Sequence, residues 1–435
     1  MEVAGIYAVV TYKTSIVKRW NRGYRSGMSR ITFSKKWFGL ASCWLSIFSL
    51  YANMMCVPPI LEMIKSDLAM SSLQAGLLLS TPVMVIAVLA VPGGFISDRM
   101  GLRRMLGLAL ASAALGGLLR GFSSSFPTLL LSTFIFALGF TLGFLNMPRA
   151  VKAWFPPSVI RTVTGAYTTG VVLGSSAGLA LTRFLVSSLG GTWQTAFYIW
   201  GFIALLPAGL WWVMKNEPLT IRERQRISDK TLKIFKRLML NRTILVAAIM
   251  LFMLNADFYG LIGWLPTYLA SMGLDPIIAG STTALITLAE LLGILLIPFA
   301  SERIGVRKLF FSALFSAIAI ISPLIPYALS TKIVLWLLLL ILGASMGGIF
   351  SLILALPAET AEPEVVGAAT GVILSIGYAG GVSGPLITGF LKDVTGTFLY
   401  SFFAFGAMAF IALASSLLLQ ENLSSHASGS RKKAN

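Results

Sequence analysis

Two carboxylic acids, Asp257 and Glu290, stand deep inside long apolar stretches, where an acid is hardest to keep. Asp257 lies 15 residues beyond Arg242, and Glu290 lies 13 residues before Arg303. On a helix either distance is roughly 20 Å at about 1.5 Å per residue, so both acids belong near the middle of a bilayer. A central aspartate costs about 2.5–3.5 kcal/mol on insertion scales. Each acid must therefore be neutral, paired or turned toward a wet cavity. In a cavity that faces one side and then the other, such a group takes up a proton and later releases it, the chemistry of proton-coupled transport. The competing reading makes one or both acids neutral packing groups, hydrogen-bonded to neighbouring helices.

Polar groups that could orient a small solute accompany them in the apolar segments: Tyr51, Asn53, Asn146, Asn255, Tyr259, Tyr268 and Tyr378. Membrane helices also use Asn and Tyr as interhelical glue and interfacial anchors, so each has an ordinary structural explanation as well. Arg120, Arg149 and Arg183 fall near segment ends and none at mid-membrane, which leans away from a strongly anionic solute. Cys43 and Cys56 lie 13 residues apart, roughly 20 Å along a helix, too far for a disulfide. The single histidine, His426, stands in a polar tail, and without a Cys or His cluster neither a metal nor another cofactor is expected. No G-x4-G-K-[ST] run cradles a nucleotide phosphate, which argues against ATP-driven pumping, and no polar cluster suggests an enzyme.

The elements that must hold these groups follow from composition. Of 435 residues 56% are hydrophobic and 11% charged, about half the charged share of a soluble domain, and mean hydropathy is +0.84. Such a chain cannot clothe a water-soluble globule. Apolar segments near 37–60, 73–97, 102–121, 126–148, 160–184 and 194–214 are followed by a second set near 243–269, 276–300, 307–329, 332–356, 365–391 and 396–420. The expected domains are a basic leader (1–36), a six-helix bundle (37–214), a basic linker (215–242), a second six-helix bundle (243–420) and a tail (421–435). With loops assigned alternately to two sides, 29 of the 34 Lys and Arg fall on the side of the N-terminus. The positive-inside rule then puts both termini and the linker in the cytosol. The net charge of +18 reads as topology and contact with anionic lipid heads, since the basic groups are scattered and form no nucleic-acid recognition module. The leader lacks the basic-then-apolar order and cleavage site of a secretory signal, and Met28 is an alternative start.

The loop after the second segment reads Gly94-Phe-Ile-Ser-Asp98-Arg99-Met-Gly101-Leu-Arg103-Arg104, and that after the eighth reads Pro298-Phe-Ala-Ser-Glu302-Arg303-Ile-Gly305-Val-Arg307-Lys308. Acid meets acid and base meets base at an offset of 204, which also carries Gly139 onto Gly343, Gly143 onto Gly347, and Tyr51 and Asn53 onto Asn255 and Asp257. Two halves of like orientation are the result. The first loop resembles the signature loop between helices 2 and 3 of the major facilitator superfamily, and the resemblance runs from about Trp37 to Gln420. It implies an all-α membrane protein of twelve transmembrane helices in two pseudo-symmetric six-helix bundles, with a central cavity open alternately to either face. It also implies that Asp98, Arg99, Gly101, Arg103 and Arg104, with the second copy at Glu302, Arg303, Gly305, Arg307 and Lys308, latch helix ends and gate closure. Simple anchoring of helix ends is the alternative.

Small residues at three- and four-residue spacing, Gly174 and Gly178 in the fifth segment and Gly380, Gly384 and Pro385 in the eleventh, suit close helix packing and bending. They resemble the fifth-helix motif of the family's drug antiporters, but Ser175 stands where that motif has proline, and the fourth segment lacks the exporters' embedded arginine. The runs Asn146-Met-Pro-Arg149-x2-Lys152-Ala-Trp-Phe-Pro-Pro and Gly384-Pro385-x3-Gly389-x2-Lys392-Asp393-x-Thr-Gly396 are similar to cyanate-permease-like and anion:cation symporter-like branches. The expectation is a monomeric secondary transporter of a small polar or organic solute in the plasma membrane, working by alternating access, with proton coupling through Asp257 and Glu290. The alternative is a transporter-like sensor or scaffold that binds solute without moving it.

Overall fold

The computed structural model describes residues 33–89, 100–155, 158–213, 238, 240–360 and 365–419. The tail, most of the leader and linker, and the loop carrying Gly94, Asp98 and Arg99 lie outside the described residues. The chain divides into the units Met1–Ala41 and Ser42–Asn435; of the first, only the opening turns of one helix are described.

Twelve helices among the described residues are long and apolar enough to cross a membrane. In the first half they are α1 (Phe33–Met55), α2 (Ser72–Leu89), α3 (Leu102–Gly121), α4 (Phe126–Trp154), α5 (Ile160–Ser188) and α6 (Trp193–Val213). The second half supplies α7 (Arg242–Ser271), α8 (Pro276–Ile304), α9 (Arg307–Leu324), α10 (Lys332–Thr360), α11 (Val366–Thr395) and α12 (Leu399–Ser416).

The boundaries have local causes. Asn241 caps α7 by accepting from the amides of Thr243 and Ile244 at 3.0 and 3.2 Å, and Asp275 caps α8 from Ile277 and Ile278 at 2.8 and 3.3 Å. Gly305 and Gly396 end α8 and α11 in the left-handed region, at φ 78° and 73°. The first segment departs from the single run expected over 37–60. It breaks after Met55, passes through a 3-10 turn at Pro58–Ile60 and continues as Leu61–Asp67. Pro58 and Pro59 have no amide to extend the ladder, so the last carbonyls of α1 need other partners.

Glycine sets the spacing inside each half. Gly174 and Gly178 of α5 lie against the carbonyls of Phe48 and Ala52 in α1, and Gly380 and Gly384 of α11 lie against those of Phe252 and Ala256 in α7. Phe252 and Ala256 stand 204 residues after Phe48 and Ala52, so the contact is repeated as well as the sequence. A methyl group at any of these glycines would collide with backbone, and without it the helices gain dispersion contact that lipid does not otherwise provide.

The halves meet through α2 against α11 and α5 against α8. Their contacts concentrate at the end remote from the linker. There Gly389 crowds the Ser72 carbonyl, Gly76 that of Pro385, and Gly280 that of Leu179. Ser80 Oγ donates to the Val382 carbonyl at 2.8 Å, and Ser176 and Thr287 share a 2.7 Å hydroxyl bond. Asp393 near the end of α11 accepts the Ser72 amide on Oδ1 and the Leu73 amide on Oδ2, both at 2.8 Å. Toward the linker the interface loosens: Gly165 in α5 and Gly367 and Gly371 in α11 have nothing within 4 Å of where a side chain would begin.

Candidate functional site

Four of the sequence-selected residues converge between the halves. Tyr51 of α1, Tyr259 of α7, Glu290 of α8 and Tyr378 of α11 all lie within electrostatic reach of one another. Glu290 and Tyr259 are half-buried, whereas Tyr51 and Tyr378 are 6% and 5% exposed. Tyr51 is fixed by edge contacts to Phe140 and Phe144 at 5.1 and 6.0 Å. Gly347 in α10 leaves the room that the stem of Glu290 occupies, and Gly381 does the same for the Tyr259 ring. An acid with three phenols within electrostatic reach is a site that can hold a proton and donate or accept hydrogen bonds to a polar solute.

Asp257 is elsewhere. It is 1% exposed and both carboxyl oxygens are buried without a hydrogen-bond partner. Along α7 it shares a stripe with Met250, Leu254, Leu261 and Trp264, all buried, so similar depth did not bring it onto the face of Glu290. Asn255 is also buried, its Nδ2 unpartnered. Tyr268 packs against Phe402 and Phe398 at 4.7 and 5.9 Å in an aromatic cluster of the second half. Asn146 donates to the Leu142 carbonyl of its own helix at 2.7 Å.

Arg103 and Lys308, from the described parts of the two signature loops, each make bonds within their own half. Arg103 donates to the Trp211 and Trp212 carbonyls at the end of α6, and Lys308 to the Leu417 carbonyl after α12 at 2.7 Å. Both answer unpaired carbonyls at a helix C-terminus with positive charge. Gly101 has φ 78°, Arg303 lies over the Phe299 ring at 4.3 Å, and Glu302 is exposed. Arg104 is exposed and Arg307 half-buried.

Sequence reasoning missed two residues. Arg120 was placed at a segment end, which is true along α3 but not in space, because the side chain is fully buried. It turns inward between α1, α4 and α6, with its guanidinium over Phe136 and Phe197 at 4.3 and 4.6 Å. Nη2 donates to the Asn53 carbonyl at 3.1 Å and to Asn53 Oδ1, which commits Asn53 to this arginine. The signal was the run Gly116-Gly117-x2-Arg120-Gly121: these glycines let α3 lie directly on Phe136, Asn53 and Tyr198. Arg149 and Arg183 are half-buried. The second is Asp393, present in a quoted motif but given no role there.

Arg120 also lines a cavity of about 20 Å³, room for one water, with Met54 and Thr133 on its side and Tyr259, Ile262 and Gly263 of α7 opposite. Two like-oriented helical halves with a polar centre between them, sealed at one end and loose at the other, define a membrane transporter of the two-bundle class. The family model of the Major Facilitator Superfamily matches residues 43–385, and the chain belongs to that superfamily. It is similar to the uncharacterized transporter YycB of Bacillus subtilis, 26% identical over 354 residues (80% of this chain, 85% of the relative). It is also similar to the cyanate transport protein CynX of Escherichia coli, 26% identical over 358 residues (82% and 90%). A bacterial homologue of the human lysosomal transporter Spinster, inward-facing and unoccupied, shares the fold at TM-score 0.76 and 17% identity, over 89% of this chain and 97% of that one.

Proposed function

We propose that the protein is a secondary active transporter that moves a small, acidic or anionic solute across the plasma membrane by alternating access, coupled to protons through Glu290. The observation that carries this reading is the cluster of Glu290 with Tyr51, Tyr259 and Tyr378 at the meeting of α1, α7, α8 and α11. A half-buried acid there can exchange its proton with whichever side the cleft faces. The cyanate relative supports an anionic solute, against the lean drawn from an absence of mid-membrane arginine. With basic loops in the cytosol, the sealed end faces outward and the molecule stands inward-open. Asp257, enclosed in the second half, has no such exchange path in this state.

Reconstituted protein with an inward proton gradient tests the proposal. Saturable, gradient-driven uptake of labelled cyanate or small carboxylates, lost in Glu290→Gln, is the expected result. Saturable binding with no flux would favour the sensor or scaffold reading.

A further inference from the structure

We infer that Arg120 is a positioning residue for the Glu290 cluster: by holding Asn53 it fixes which way the last turn of α1 faces and so keeps Tyr51 turned toward Glu290. The inference rests on the transporter reading and adds a residue that acts through Tyr51 rather than on the solute.

α1 ends at Met55, and Pro58 and Pro59 have no amides to offer its last carbonyls, so this turn keeps its orientation through outside contacts. Gly174 and Gly178 of α5 let the carbonyls of Phe48 and Ala52 come close, which sets how near α1 lies to its neighbour. Which way it faces is set at Asn53. Arg120 Nη2 donates to the Asn53 carbonyl at 3.1 Å and to Asn53 Oδ1, and Gly117 of α3 leaves room for the Asn53 amide. The guanidinium is itself held over Phe136 of α4 and Phe197 of α6. Tyr51 stands two residues before Asn53, about 200° around the helix at about 100° per residue. A grip on one face of α1 therefore aims the phenol on the other. The broken end, at Met54, Met55, Val57 and Pro58, also lines one cavity with Tyr259 of α7, so its placement reaches a second phenol of the cluster.

Packing alone does not require this arginine. A fully buried guanidinium carries a desolvation cost that an aliphatic side chain avoids. In the second half, 204 residues on, α7 runs unbroken from Arg242 to Ser271, and Leu324 stands at the position of Arg120. The arginine accompanies the break, and α1 ends four residues after Tyr51.

Infrared spectroscopy of the purified protein reads the cluster without any solute, through the Glu290 carboxyl band identified by its loss in Glu290→Gln. The pH midpoint of that band should move by about half a unit or more in Tyr51→Phe, and by a similar amount in the same direction in Arg120→Gln. With Tyr51→Phe already in place, Arg120→Gln should add less than about 0.2 units, because the phenol it aims is gone. Arg120→Lys keeps the charge and loses the planar grip, and should move the midpoint at least half as far; it takes the place of Arg120→Gln in the cycle if that variant does not fold. Additive shifts, a midpoint unchanged in the arginine variants, or one unchanged in Tyr51→Phe would overturn the inference and leave a purely structural arginine, seen only as a lowered melting temperature. The two readings fail separately. Flux of cyanate or small carboxylates with additive midpoint shifts removes the positioning role and keeps the transporter, whereas non-additive shifts without flux remove the transporter and keep the positioning role.

Discussion

Asp393 is an exposed member of the contacts that seal the end remote from the linker, and its replacement by asparagine gives the sharpest mechanical test. Its two carboxylate oxygens take the first free amides of α2 at 2.8 Å each, bonds that join the halves directly. Lys65 lies within electrostatic reach of the same carboxylate. In a buried setting each charged bond would contribute about 1.5–3 kcal/mol. Asp393 is exposed, so the surface values apply: about 0.3–1 kcal/mol for a charge at a helix N-terminus and about 1 kcal/mol for a lost cap. Asparagine keeps one acceptor and turns an amino group toward the other amide. A net loss of about 1 kcal/mol moves the closed-to-open ratio of this end roughly fivefold. Cysteines at Leu189 and Met272, exposed in the α5–α6 and α7–α8 connections, accept spin labels for double electron–electron resonance. The native Cys43 and Cys56 are buried and do not compete. Asp393→Asn should raise the long-distance population about fivefold, and about 1 M salt should reproduce part of that shift in wild type by screening. Identical distance distributions in wild type, Asp393→Asn and Asp393→Ala would refute the latch.

Three further outcomes follow from the packing and the cluster. Gly384→Ala drives a methyl into the Ala256 carbonyl and should cost about 1–3 kcal/mol, read as a lowered melting temperature, while Gly165→Ala, with open space around it, should not. Asp257→Asn should leave gradient-driven accumulation near wild type where Glu290→Gln abolishes it; the reverse pattern would move the coupling role to Asp257. Arg103→Ala and Lys308→Ala, which each remove a cation from carbonyls at the ends of α6 and α12, should lower stability by up to about 1 kcal/mol, read as a lowered melting temperature.

Twelve apolar segments and the 204-residue repeat were legible in the sequence because lipid imposes a long-range rule on composition: a spanning segment must be apolar over its whole length and satisfy its own backbone. Tyr51, Tyr259, Glu290 and Tyr378 were legible for the same reason, since a polar group in such a segment stands out. Depth along a helix follows from counting residues at a fixed rise. Direction around it does not, because twelve near-uniformly apolar segments show no polar stripe to say which side faces a neighbour. Asp257 and Glu290 share a depth and differ in surroundings, and only packing decided that. Arg120 shows the same division most plainly. It stands near the end of α3, but the glycines of α3 let that helix settle against α1, α4 and α6, and α1 breaks before the prolines at 58 and 59, where the guanidinium reaches the Asn53 carbonyl. A residue that numbering places at a surface was carried into the interior by the lengths and close approach of four helices, a relation no single segment contains.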